Sequence, residues 1–140
     1  MREGYLLVET NPAHPGKVRL RGIDDLPEGT AVGVDPNLRF IARFHDLDAA
    51  LMHFHAGLSR RLLDVNERIY RADPVEAVSV ADAIALPHRR IYVDPALDRD
   101  GQLTAAIQRL HRRHRRWERF FNGVGIAAVI LLLAKLLLGV

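Results

Sequence analysis

His45, Asp46, Asp48, His53 and His55 lie within eleven residues of one another. Imidazole and carboxylate are what a divalent metal binds, but a site needs them to converge on one point. On a helix, His53 and His55 diverge by about 200°, and His45 precedes the helix, so these read as structural or surface histidines. His111 and His114 stand one turn apart but among arginines, which repel a cation. They read as part of a solvated face. Asp24, Asp25 and Glu28 form an acidic stretch that reads as an exposed turn. Ser59 and Ser79 are the only serines, and neither sits in a nucleophile motif. No glycine-rich phosphate loop occurs. The absence of cysteine removes disulfides and thiol chemistry. The expectation from side-chain chemistry is no catalytic residue, no metal ligand set and no cofactor.

What remains is the chemistry of a bilayer. Residues 120–140 are almost unbroken apolar sequence: Phe120, Phe121, Val124, Ile126, Val129, Ile130, Leu131, Leu132, Leu133, Leu136, Leu137 and Leu138 carry it, and Val140 falls near its far end. About 20 apolar residues in a helix cross a hydrocarbon core of about 30 Å. Lys135 is the one charge in the run, placed where its stem can carry the ammonium to the far headgroups. Immediately before the run stand Arg109, Arg112, Arg113, Arg115, Arg116 and Arg119, with Glu118 the only acid among them. The 108 residues before them hold thirteen Lys/Arg and sixteen Asp/Glu. The excess positive charge, net +3 over 140 residues, is therefore local to this junction. Cations flanking a span stay on the cytoplasmic side and meet anionic headgroups there. Trp117, Phe120 and Phe121 fall where an aromatic belt belongs. The expected placement is a single-pass, tail-anchored chain with a cytoplasmic N-terminal head and its C-terminus across the membrane. Membrane lipid is the first expected partner. Nucleic acid is the less favoured one, because the head is slightly acidic.

The elements ahead of the span follow from pattern and punctuation. Residues 5–10 and 17–21 read as strands joined by the Asn-Pro and Pro-Gly turn at 11–16. Residues 22–37, dense in Pro and Gly, read as a loop with room for a short strand at 31–34. Residues 38–44 make a third strand. Asp46 or Asp48 caps a helix from Leu47 to about Arg61, whose apolar face is Leu47, Leu51, Phe54 and Leu58. A short strand follows at 68–71. Asp73-Pro74 opens a helix to about Leu86, and 91–93 is the last strand. The final helix starts near Gln102. Leu103, Ile107, Leu110, His114, Trp117, Phe121, Val124, Ala128, Leu131, Lys135 and Leu138 recur at alternating spacings of four and three, a heptad stripe. Leu103, Ile107 and Leu110 begin that stripe as a helix–helix seam. It either leans on the chain's own head, the favoured reading, or pairs with another helix to form a homo-oligomer or bind a protein partner. Gly123 and Ala127 form a small-xxx-small pair.

Gly4-Tyr5-Leu6-Leu7-Val8, Asn11-Pro12 and Pro15-Gly16-Lys17-Val18-Arg19-Leu20, followed by Asp48-Ala49-Ala50, Phe54-His55, Val65-Asn66, Arg68-Ile69-Tyr70 and Glu76-Ala77, stand in an order that resembles the T5orf172 domains, a branch of the GIY-YIG nuclease superfamily. The resemblance covers about residues 3–86. It implies a small mixed sheet with flanking helices, and a reaction in which a tyrosine, an arginine and a metal-holding glutamate cleave a phosphodiester. At those positions this chain departs. The family's tyrosine falls on Leu7, a motif glycine on Arg21, the glutamate on or near Leu51, and the arginine-bearing helix on the Pro/Gly-rich stretch 24–36. The resemblance therefore implies the fold without the nuclease.

The expected whole is α+β: a soluble head over residues 1–100, a basic juxtamembrane helix over 101–119 and a membrane helix over 120–140. The expected role is non-enzymatic docking or service as an accessory subunit of a membrane complex. The alternative is a membrane-bound, metal-dependent DNA endonuclease drawing carboxylates from Glu9, Asp46, Asp48 or Glu67.

Overall fold

The computed structural model describes residues 1–30 and 32–139, apart from the Asp100 side chain. They form two units, Met1–Ile107 and Gln108–Val140. The first is α+β and carries a six-stranded sheet that is antiparallel throughout, not the expected mixed sheet, because its helical connections join strands that are not neighbours. Its strands are β1 (Gly4–Thr10), β2 (Lys17–Ile23), β3 (Leu38–Phe44), β4 (Leu62–Asp64), β5 (Ile69–Arg71) and β6 (His88–Val93), in the order β4-β5-β2-β1-β3-β6. β1 and β2 are the expected hairpin, with Val8 opposite Leu20, and on its other side Val8 faces Phe40 of β3.

β2 shows the logic of the sheet most plainly. Its side chains alternate, with Val18 and Leu20 buried and Lys17, Arg19 and Arg21 exposed. That is the two-residue period of a strand with one face in the core. Val18 and Leu20 join Leu6, Val8, Phe40, Ala42, Phe44 and Tyr70 in the main core. Two helices cover this face. α1 (Leu47–Leu58) contributes Leu47, Ala50, Phe54 and Leu58, and its cap is Asp46, which accepts a hydrogen bond from the Ala49 amide at 3.1 Å. α2 (Pro74–Asp82) is capped by Asp73, with Pro74 in the first turn. The helices meet closely at Gly57, where a Cβ would lie 2.8 Å from Val80 Cγ1. On the opposite face Leu7, Leu38 and Ile41 are buried in a second, smaller cluster, with Tyr5, Ile23, Leu26 and Tyr92 packed against it.

Several expected boundaries move. The 22–37 stretch forms no strand at 32–34, where the backbone turns, and Ala31 lies outside the described residues. Helix α1 stops at Leu58 and tightens into a 3-10 turn over Ser59–Arg61, and the chain then enters β4, an edge strand that was not expected. α2 ends at Asp82 rather than near Leu86. Ile84 turns back against the core, and Asp82 is held by Arg90 from β6. β6 begins three residues earlier than expected, at His88.

The last helix, α3, spans Gln102–Leu138 without a break. Its first turns belong to the compact unit: Leu103 is 3% exposed in the main core and Ile107 packs against it. The second unit is the rest of this helix. Val140, expected at the far interface, lies outside the described residues.

Candidate functional site

The second unit is a helix whose large apolar side chains are exposed. Phe120, Phe121, Val124, Ile126, Val129, Ile130, Leu131, Leu132, Leu133, Leu136, Leu137 and Leu138 are all exposed, Leu137 at 84%. The most apolar 18 residues of α3 have a mean hydropathy of 2.2, and none of that stretch is buried. A helix of 37 residues is about 55 Å long, so this one is long and apolar enough to cross a membrane. Uncovered in water, twelve large apolar side chains would each forgo about 1.5–3 kcal/mol of burial. That is more than a small domain has in total stability.

Trp117, Phe120 and Phe121 pack on one another at the start of this stretch. The Trp117 and Phe121 rings stack with centroids 5.7 Å apart, and Phe120 meets both edge-on. Arg112, Arg113, Arg115, Arg116 and Arg119 are exposed, as is Lys135. Among the described residues none of the arginines of 109–119 forms an ion pair. Of the expected seam, Leu103 is in the main core, Ile107 packs on it, and Leu110 is half-buried.

The first unit carries a cleft of about 730 Å³ between the open face of β1 and β2 and the β4–β5 hairpin. Strand alternation puts Lys17, Arg19 and Arg21 in a row on its floor. Arg21 donates to Glu9 at 2.9 Å, and Arg19 donates to Glu67 at 2.5 Å. Two of the four carboxylates named for the alternative nuclease, Glu9 and Glu67, thus share a cleft, while Asp46 caps α1 and Asp48 pairs with Arg2 at 3.0 Å. Both cleft carboxylates are already bonded to an arginine. Tyr5 is not in this cleft; it packs beside Leu7.

The histidines scatter. His45 contacts Glu3 at 3.1 Å, and that hydrogen bond, then Arg43, holds the Glu3 carboxyl below its usual range. His53 is exposed. His55 Nδ1 lies 3.1 Å from the Tyr70 hydroxyl, and burial pushes the Tyr70 phenol up, Arg68 opposing slightly. Among the described residues no three His, Asp or Glu side chains are placed to hold a metal ion together.

One cluster escaped the sequence reading. Asp82 receives two hydrogen bonds from Arg90, which raise the Arg90 pKa, and His88 Nε2 lies 3.6 Å from the same carboxylate. His88 also stacks on Phe44, with centroids 4.7 Å apart. The only sequence signal was His88 and two arginines following a proline, which says nothing of a partner on α2.

No protein family, curated protein or solved structure matches the chain.

Proposed function

We propose that this chain is a tail-anchored membrane protein whose N-terminal head is a docking or accessory module. The observation that carries the proposal is the exposed apolar stretch of α3 set directly after six arginines that form no ion pair among the described residues. Burial of that stretch in hydrocarbon satisfies both its side chains and its backbone, since every amide inside a helix is bonded within the segment. The arginine excess on one flank supports a cytoplasmic head. The Trp117–Phe120–Phe121 cluster supports an interface at that depth.

The finer reading of the head is a catalytically degenerate GIY-YIG-like domain. The fold is supported by the hairpin, strand and helix order of β1, β2, β3 and α1; the loop where the arginine-bearing helix would stand supports the degeneracy and departs from the fold. Leu7 and Leu51, at the tyrosine and glutamate positions, are apolar side chains within or against the two cores. A second reading, the metal-dependent nuclease, draws on Glu9 and Glu67 sharing a cleft. Their engagement by Arg21 and Arg19 weighs against it.

Membrane fractionation tests the anchor. The full-length chain is expected to stay with vesicles through alkaline carbonate and to float with them, and a chain ended after Leu110 to remain in solution. External protease on intact cells is expected to spare the head. Release of the full-length chain by carbonate, or digestion of the head from outside, refutes the anchor or its orientation respectively.

A further inference from the structure

The six arginines do not ring α3. At about 100° per residue, Arg109, Arg112, Arg113, Arg115, Arg116 and Arg119 fall within an arc of about 160°. The heptad residues Leu110, His114, Trp117 and Phe121 occupy a stripe about 60° wide on nearly the opposite side. A collar that only met headgroups around an upright helix has no need of such segregation. The stripe is exposed where it is most aromatic, at Trp117 and Phe121, and continues through Val124, Ala128 and Leu131. Leu103 and Ile107 are already packed in the compact unit, so the free part of the stripe begins at Leu110.

Glu118 decides what fits this stripe. It is the only acid among the arginines, yet it forms no ion pair among the described residues. With Leu110 and Trp117 at heptad position d and His114 and Phe121 at position a, Arg113 takes position g and Glu118 position e. They flank the stripe on its two sides. Five residues apart, they cannot reach each other on one helix. In a parallel pair of helices, g of one chain meets the following e of the other. Arg113 of each copy then meets Glu118 of the second copy, twice by symmetry, and the remaining arginines point outward and away from each other. An antiparallel partner would not bring these two positions together in this way.

We infer that α3 pairs in parallel with α3 of a second copy of this chain, along Leu110 to Leu131, with the register set by the reciprocal Arg113–Glu118 contacts. This rests on the membrane-anchor proposal, which makes all copies enter the bilayer in the same direction. Ala128, a small residue at position a, lets the backbones approach inside the bilayer. Lys135, also at position a, lies near the end where its ammonium can leave for the headgroups.

The chain has no cysteine, so single cysteines report directly on the pairing. Full-length V124C, L131C, I126C and L133C are placed in vesicles of mixed phosphatidylcholine and phosphatidylglycerol and oxidised, and the same samples are floated. Disulfide dimers are expected at 124 and 131, with little at 126 and 133 on the far side of the helix. E118R alone is expected to weaken dimerisation roughly tenfold by turning two attractions into repulsions, and R113E with E118R to restore it. Protein that floats but crosslinks nowhere overturns the dimer and leaves the anchor standing. Protein that does not float overturns both. Crosslinking strongest at cysteines placed at Gly123 and Ala127 overturns this stripe in favour of the small-residue face, and failure of the double reversal to restore pairing overturns the register.

Discussion

Replacing Leu103 with alanine tests whether the head's core extends into α3. Leu103 is 3% exposed and lies in the same cluster as Leu97, Phe54 and Val78. Removing its branched end forfeits the transfer energy of the lost carbons and leaves a partly collapsed void. Leucine-to-alanine changes in cores cost about 2–5 kcal/mol, and a site at the edge of a core belongs near the lower end, about 2–3 kcal/mol. A domain of this size holds about 5–15 kcal/mol in all. With a urea slope of about 1–1.5 kcal/mol per molar, the midpoint should fall by about 2 M. The assay is urea unfolding followed by far-ultraviolet circular dichroism on a chain ended after Leu110, with Met52→Ala as the control. Met52 is 73% exposed, so its removal should stay within about 0.5 kcal/mol. A midpoint shift for Leu103→Ala no larger than the control would falsify the assignment of α3's first turns to the head. The same logic says that a chain cut after Arg99 loses both Leu103 and Ile107 and unfolds at lower urea than one cut after Leu110.

Gly4→Ala should destabilise the head by about 1–3 kcal/mol in the same assay, because the new Cβ would stand 2.7 Å from the Ile23 carbonyl oxygen and 2.7 Å from Leu47 Cδ2. Arg68 holds a positive φ of 51°, so Arg68→Gly should raise stability by about 0.5–1 kcal/mol; a loss instead would mean that the arginine side chain contributes more than its backbone costs. Burial raises the Tyr70 pKa above that of the unfolded chain, near 10, so its stabilising contribution is complete below about pH 10 and lost as pH rises through the folded value. Tyr70→Phe should flatten the decline of the midpoint above pH 10, and an unchanged decline would assign it to other groups.

The sheet was legible wherever polar and apolar residues alternate. Lys17-Val18-Arg19-Leu20-Arg21 could bury only one face, and the Asn-Pro and Pro-Gly pairs before it left β1 as its neighbour. Helix starts were legible because Asp46 and Asp73 carry a cap whose bond to the backbone is local. Helix ends were not, because they depend on distant contacts. α2 stops where Asp82 meets Arg90 and His88, residues that nothing nearby in the sequence links to it. β4 has three residues, too few to show a period, and exists because β5 is there to pair with it. The cleft followed the same rule. The row of cations on β2 was visible as spacing, but Glu67 comes to Arg19 from 48 residues away through a hairpin that the sequence did not announce.

The distribution of ion pairs separates what the two units can do. In the head, Arg2, Arg19, Arg21, Arg39, Arg43, Arg61 and Arg90 are each bonded to a carboxylate. An anionic surface or a phosphate backbone approaching any of them must first displace a bonded partner, which cancels much of the attraction. In the 109–119 segment six arginines face one acid, and no pair forms among the described residues. Each free cation is worth about 1 kcal/mol beside an anionic bilayer. Seven of the head's thirteen cations are therefore held by its own carboxylates, whereas none of the six arginines of 109–119 is, among the described residues. On the proposed membrane placement, headgroup attraction falls to the arginines of α3, and raising the salt concentration should weaken it.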